Sequence, residues 1–89
     1  MTVEQARAVM TGYIAELSRV NDVPVRETGF EERVAGAWVF YWNSVEFLDT
    51  GKFEAQLVGQ GPTLVMDDGT VHQGSSNERP IDVLARVQA

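Results

Sequence analysis

Cysteine is absent from this chain and histidine occurs once, at His72. The first absence excludes a disulfide framework, a thiolate nucleophile and the common structural zinc sites. With no cysteine and no second histidine to join it, His72 lacks the company that a metal centre or a nucleophilic relay needs, and it reads as a strand-end residue with a solvated ring. Basic residues are also scarce: seven against thirteen acidic ones, a formal charge of −6, and nowhere a cluster of Lys or Arg that would neutralise a row of phosphates. That balance argues against nucleic-acid binding. No apolar run approaches the roughly 18 residues of a membrane span, and the start MTVEQARAVM lacks the basic and uninterrupted apolar segments of a signal peptide. The expectation is a soluble, untargeted, cytoplasmic protein without a membrane partner. Repeats, linkers and low-complexity tracts are missing as well.

What remains is material for one domain, residues 1–89, with a single core and a radius of gyration of about 12 Å. A chain this short buries roughly 60% of the surface its unfolded form exposes, so a large open apolar face is a cost it would share with a partner. The central stretch is Leu57 to Val71, LVGQGPTLVMDDGTV. Gly59, Gly61 and Pro62 bend the backbone into the apolar run Thr63–Met66, and Asp67-Asp68-Gly69 reverses it, which reads as loop, strand, hairpin turn, strand.

Before that stretch, Val3, Ala6, Met10, Tyr13, Ile14, Leu17 and Val20 recur at three- and four-residue steps, predicting an α-helix over residues 3–20. Thr2 and Gln5 are placed to form a capping box, Gly12 marks either a close approach to a strand or a tolerated cost, and Asn21-Asp22 with Pro24 stops the helix. Val25–Val34 is polar and weakly alternating, an edge strand or extended arm with a bulge or bend at Gly29, and Ala35-Gly36 turns it. Ala37–Asn43, AWVFYWN, is the strongest strand signal and belongs at the centre of a sheet, with Trp38, Phe40 and Trp42 on one face and Ala37, Val39 and Tyr41 on the other. Ser44–Gly51 suits a capped helical turn or two. Lys52–Val58 alternates Phe53, Ala55 and Leu57 against Lys52, Glu54 and Gln56, which predicts another strand. The segment after Val71 ends the sheet, and Pro80 starts a last helix with Ile81, Leu84 and Val87 as its buried stripe. The fold class is α+β: an N-terminal helix, an antiparallel sheet of four to five strands and a short C-terminal helix.

Chemistry is hard to assemble from these residues. Glu31 and Glu32 are neighbours on a strand and point to opposite faces, so they cannot act jointly as acid and base. Asp67 and Asp68 are turn formers, and the corner they make is far shorter than a calcium loop. Gly59-x-Gly61-Pro62 continues into a strand, whereas a phosphate loop opens a helix. No catalytic residue, metal or cofactor is expected. At least two of Trp38, Phe40 and Trp42 read as core; where Trp38, Tyr41 or Trp42 stays partly exposed, a patch of them rimmed by Glu31, Glu32, Glu46 and Asp49 has the anatomy of a protein-binding surface, rings for affinity and charges at the rim for approach.

The succession AWVFYWNSVEFLDTG, LVGQGPTLVMDDGTV and the short Pro80 helix resembles the YrhB and immunity protein 35 family of small bacterial α+β proteins. Its most specific part is the Gly59-Gln60-Gly61-Pro62 turn leading into an apolar strand and an acidic glycine corner. Gln60 stands where the family pattern has asparagine before Gly-Pro, and Asp68 where lysine often follows the first aspartate. The resemblance implies a non-enzymatic binding protein whose partner is either a cognate toxin, blocked by occlusion, or the exposed segments of unfolded client chains in a chaperone-like role. It leaves self-association open.

Overall fold

The computed structural model describes residues 1–88. Helix α1 spans Val3–Asn21, strands β1 and β2 span Val25–Val34 and Ala37–Ser44, and helix α2 spans Val45–Thr50. A single 3₁₀ turn follows at Phe53–Ala55, then β3 at Gln60–Met66, β4 at Val71–Ser75 and helix α3 at Pro80–Val87. The strands form one antiparallel sheet of four in the order β1-β2-β3-β4, and the Cα radius of gyration is 12.8 Å.

Local sequence explains most of this. The Thr2 hydroxyl accepts from the Gln5 N–H at 3.2 Å while the Gln5 side-chain oxygen accepts from the Thr2 N–H at 2.9 Å, which closes the capping box of α1. Asp22 ends that helix in the left-handed region. A Cβ at Gly12 would meet nothing within 4 Å, so no strand approaches that residue and its cost is simply borne. The β1–β2 register breaks between Glu27 and Glu31, around Gly29, so the edge strand bulges where a glycine with positive φ permits it.

Alternation along β2 divides the core in two. Phe40 packs with Ala6 and Met10 of α1 and with Val65, half-buried Trp38 beside them, while Ala37 and Val39 pack with Leu64 and with Val83 and Leu84 of α3. Each sheet face therefore has its own helix. The stripe of α3 differs from the expected one: Val83 is fully buried and Ile81 is 63% exposed. The reason is Gly74 on β4, where a Cβ would stand 2.8 Å from Val83 Cγ2, so Val83 occupies the room that the glycine leaves. At the far end of α1, Val20 lies beyond the sheet and is exposed. His72-Gln73-Gly74-Ser75, expected to end the sheet, instead form β4 with Val71 and pair with β3.

One polar side chain ties the α1 side together. Gln73 Oε1 accepts from the Tyr13 hydroxyl at 2.9 Å, Trp42 Nε1–H at 3.0 Å and the Thr63 hydroxyl at 2.6 Å, and Gln73 Nε2 donates to the Gly61 and Gly74 carbonyls. Thr63 is fully buried and Trp42 is 7% exposed, so water cannot replace this acceptor for either. Burial pushes the Tyr13 phenol up as well. Gln73→Ala should cost about 2–3 kcal/mol, since it orphans buried donors rather than only removing bonds. Urea denaturation of the variant measures it.

Surface ion pairs fasten the ends. Asp67, in the β3–β4 turn, accepts from both terminal nitrogens of Arg33 at 2.8 and 2.9 Å and pairs with the Met1 ammonium at 3.3 Å. Glu78 pairs with Arg86 of α3 at 2.8 Å and accepts from Ser75 N–H. Arg33 first, then the ammonium, holds the Asp67 carboxyl at about 2, below its usual 3.8; Arg86 first, then Ser75, holds Glu78 at about 2, below 4.5. Glu16, Asp68 and Asp82 shift the same way, whereas burial and neighbouring Glu31 push Glu27 up. A carboxylate held low when folded binds a proton more readily unfolded, so its contribution is complete above the unfolded value and is lost as pH falls toward the folded one. The melting temperature should therefore be flat near neutrality and drop between pH 4.5 and about 2, and Glu78→Gln should flatten the drop. Calorimetric scans across that range check both.

Candidate protein-binding surface

The segment expected as a strand at Lys52–Val58 is not one. After the 3₁₀ turn at Phe53–Ala55 it runs as an irregular arm between two glycines with positive φ, Gly51 at 72° and Gly59 at 99°. Its backbone is held by side chains from the end of β2 instead of by a ladder. Asn43 Oδ1 accepts from Leu57 N–H at 2.9 Å, Asn43 Nδ2 donates to the Leu57 carbonyl at 3.1 Å, and the Ser44 hydroxyl donates to the Ala55 carbonyl at 2.6 Å. Ser44 does this while capping α2 through Phe47 N–H. Gln60 Nε2 adds a bond to the Leu57 carbonyl at 2.8 Å. The arm can thus leave the sheet without stranding its polar groups.

The β2–β3 ladder ends at Phe40 and Thr63, and beyond it the end of β2 is bonded to the arm through Asn43 and Ser44. A groove of about 360 Å³ on one side is lined by Tyr41, Trp42, Leu57 and Val58; one of about 460 Å³ on the other is lined by Val23, Pro24, Val45 and Ala55 with Glu46 and Glu54, and Leu57 borders both. The arm carries the two most exposed large apolar side chains in this region, Phe53 at 82% and Val58 at 81%. Exposed Phe30 stands against Tyr41, ring centroids 5.7 Å apart and tilted by 57°. Exposed apolar groups thus concentrate at one end of the molecule.

The aromatic residues singled out in the sequence do not form one patch. Trp38 lies on the α1 face, its Nε1–H donating to the Met1 carbonyl at 3.0 Å and its ring 5.5 Å from the Arg33 guanidinium. Trp42 is buried on the same face with its N–H held by Gln73 and reaches only the wall of the smaller groove, whereas Tyr41, on the opposite face, stands against exposed Phe30. Among the acidic residues, Glu31 is gripped by Arg7 and Asp49 by Arg26, whereas Glu32 and Glu46 are exposed and make no ion pair among the described residues. Tyr41 and Glu46 therefore reach the arm from either side, with Glu32 farther along the Tyr41 face. Phe30, Phe53, Val58 and Glu54 complete the surface and escaped sequence reasoning. The signal that pointed to them is the glycine pair bracketing Phe53 and Val58.

His72 sits on β4 beside the Thr70 hydroxyl at 3.2 Å and lines none of these grooves. No group of three or more His, Asp or Glu among the described residues is placed to hold a metal, and no described helix is long and apolar enough to cross a membrane. A family model described as Immunity protein 35 matches residues 4–87. No curated protein and no solved structure matches the chain.

Proposed function

Since this chain belongs to the immunity protein 35 family, whose members are non-enzymatic, we propose that it neutralises a bacterial toxin domain by binding it and covering its working surface. The observation that carries this reading is the concentration of exposed apolar groups around the arm: Phe53 and Val58 on it, Val23 in one groove, and Phe30 against Tyr41 beside the other. Exposed apolar area of this kind, rimmed by Glu32, Glu46 and Glu54, is what a partner buries, with rings and aliphatic groups supplying affinity and carboxylates steering a basic partner in. Tyr41, Glu32 and Glu46 from the sequence-predicted set belong to that surface. Trp38, Trp42, Glu31 and Asp49 are instead each held by an intramolecular partner.

The test is co-expression with each candidate toxin domain encoded by the reading frames that neighbour this chain's own. Restored growth and a one-to-one complex on gel filtration are expected. Growth arrest despite expression overturns the reading, and broad, weak suppression of aggregation of unrelated proteins in place of a defined complex identifies a chaperone-like holder instead.

A further inference from the structure

We propose that the groove between the Val23-Pro24 turn, α2 and the arm receives a long basic side chain, arginine or lysine, projecting from the protein partner. The inference rests on the binding role argued above and names what the partner must present. Charge distribution carries it. All six arginines are committed within the chain: Arg7 to Glu31, Arg19 to Glu16, Arg26 to Asp49, Arg33 to Asp67, Arg79 to Asp82 and Arg86 to Glu78. Lys52 makes no ion pair among the described residues. Glu46 and Glu54 border the same groove of about 460 Å³, and neither makes an ion pair among the described residues. Asp49, also on α2, is already neutralised by Arg26 at 2.6 Å.

The remaining walls are Val23, Pro24, Val45, Ala55 and Leu57, with the polar side chains of Ser44 and Gln56 among them. A largely apolar groove bordered by two carboxylates suits a side chain with an aliphatic stem and a cationic head, the stem lying along the apolar walls and the head meeting an acid. A purely apolar occupant would strip water from Glu46 and Glu54 without compensation, which is costly, and a bare metal ion would find too few ligands. The net charge of −6 draws such a group in from a distance.

Amide chemical shifts of the whole protein, followed while N-acetyl-arginine-methylamide is added at low ionic strength, test the assignment. Saturable shifts confined to Val23, Val45, Ala55 and Leu57 are expected, at least tenfold weaker with the uncharged citrulline analogue and absent in Glu46→Gln/Glu54→Gln. A control removing two other unpaired carboxylates, Glu4→Gln/Glu32→Gln, should leave them intact. Equal response to citrulline, shifts spread evenly over every exposed carboxylate, or survival of the shifts in the Glu46/Glu54 variant overturns the assignment. Perturbation of the same amides on concentrating the protein alone would make a second copy the occupant and overturn it too. Arginine binding together with failure to neutralise the toxin domain sinks the toxin reading and leaves the groove standing. Full neutralisation at unchanged affinity by Glu46→Gln/Glu54→Gln does the reverse.

Discussion

Gly61→Ala should remove a large share of the domain's stability and lower its melting temperature by about 16 °C or more. Gly61 is the second residue of β3, at the irregular step where the β3–β4 register slips between Gln60 and Thr63. A Cβ there would lie 2.0 Å from the Ser75 carbonyl oxygen and 2.7 Å from its carbon. Both are main-chain atoms of the paired strand, so the clash has no side-chain rotamer to relieve it, and separating the strands would also pull on Gly74, itself pressed against Pro62 and Val83. Overpacking in a core that can adjust costs about 1–3 kcal/mol; here, with the backbone fixed on both sides, about 4 kcal/mol or more is expected. A domain of this size holds on the order of 5–10 kcal/mol in total, and less if its core is small. Gly12→Ala is the internal control of opposite sign. That position is exposed in the middle of α1, a Cβ meets nothing within 4 Å, and the substitution should stabilise by about 0.5–1 kcal/mol. Circular dichroism melts of the two variants distinguish a close-approach glycine from a merely tolerated one.

This contrast also shows what a sequence can disclose. The capping of α1, the central place of β2, the bulge at Gly29 and the Asp67–Gly69 turn were legible because each is decided within a few residues or by alternation along one strand. The arm was not. Phe53, Ala55 and Leu57 do alternate, but whether that pattern forms a ladder depends on Asn43 and Ser44, more than ten residues away, whose side chains satisfy the Leu57 and Ala55 backbone first. Two polar residues closing an otherwise apolar strand were the only local sign of it. In the same way, the burial of Val83 rather than Ile81 is decided by Gly74 on a different element. As for the binding surface, alternation correctly put Trp38 and Trp42 opposite Tyr41, yet nothing near Trp42 announces that Gln73 takes its indole N–H into the interior.

If the proposed toxin-binding role holds, Phe53→Ser/Val58→Ser should weaken the complex by about 100- to 1,000-fold while leaving the melting temperature within a degree or so of the parent. Both side chains are more than four-fifths exposed and neither belongs to a core cluster, so the free protein loses almost nothing when they shrink. In a complex the account differs. Burying a side chain of this size contributes about 1.5–3 kcal/mol, and central aromatic contacts cost about 2 kcal/mol or more when truncated, so two of them together reach the stated loss even with imperfect additivity. The arm makes an effective anchor because it is already fixed: the Asn43, Ser44 and Gln60 bonds hold its backbone before any partner arrives, so little ordering entropy is lost on binding. Asn43→Ala should therefore weaken the complex too, through a mobile arm, although it removes no contact with the partner. Titration calorimetry with the purified toxin domain reads both effects. Parent-like affinity in the Phe53/Val58 variant would make the arm a bystander and move the interface to the opposite face of the sheet.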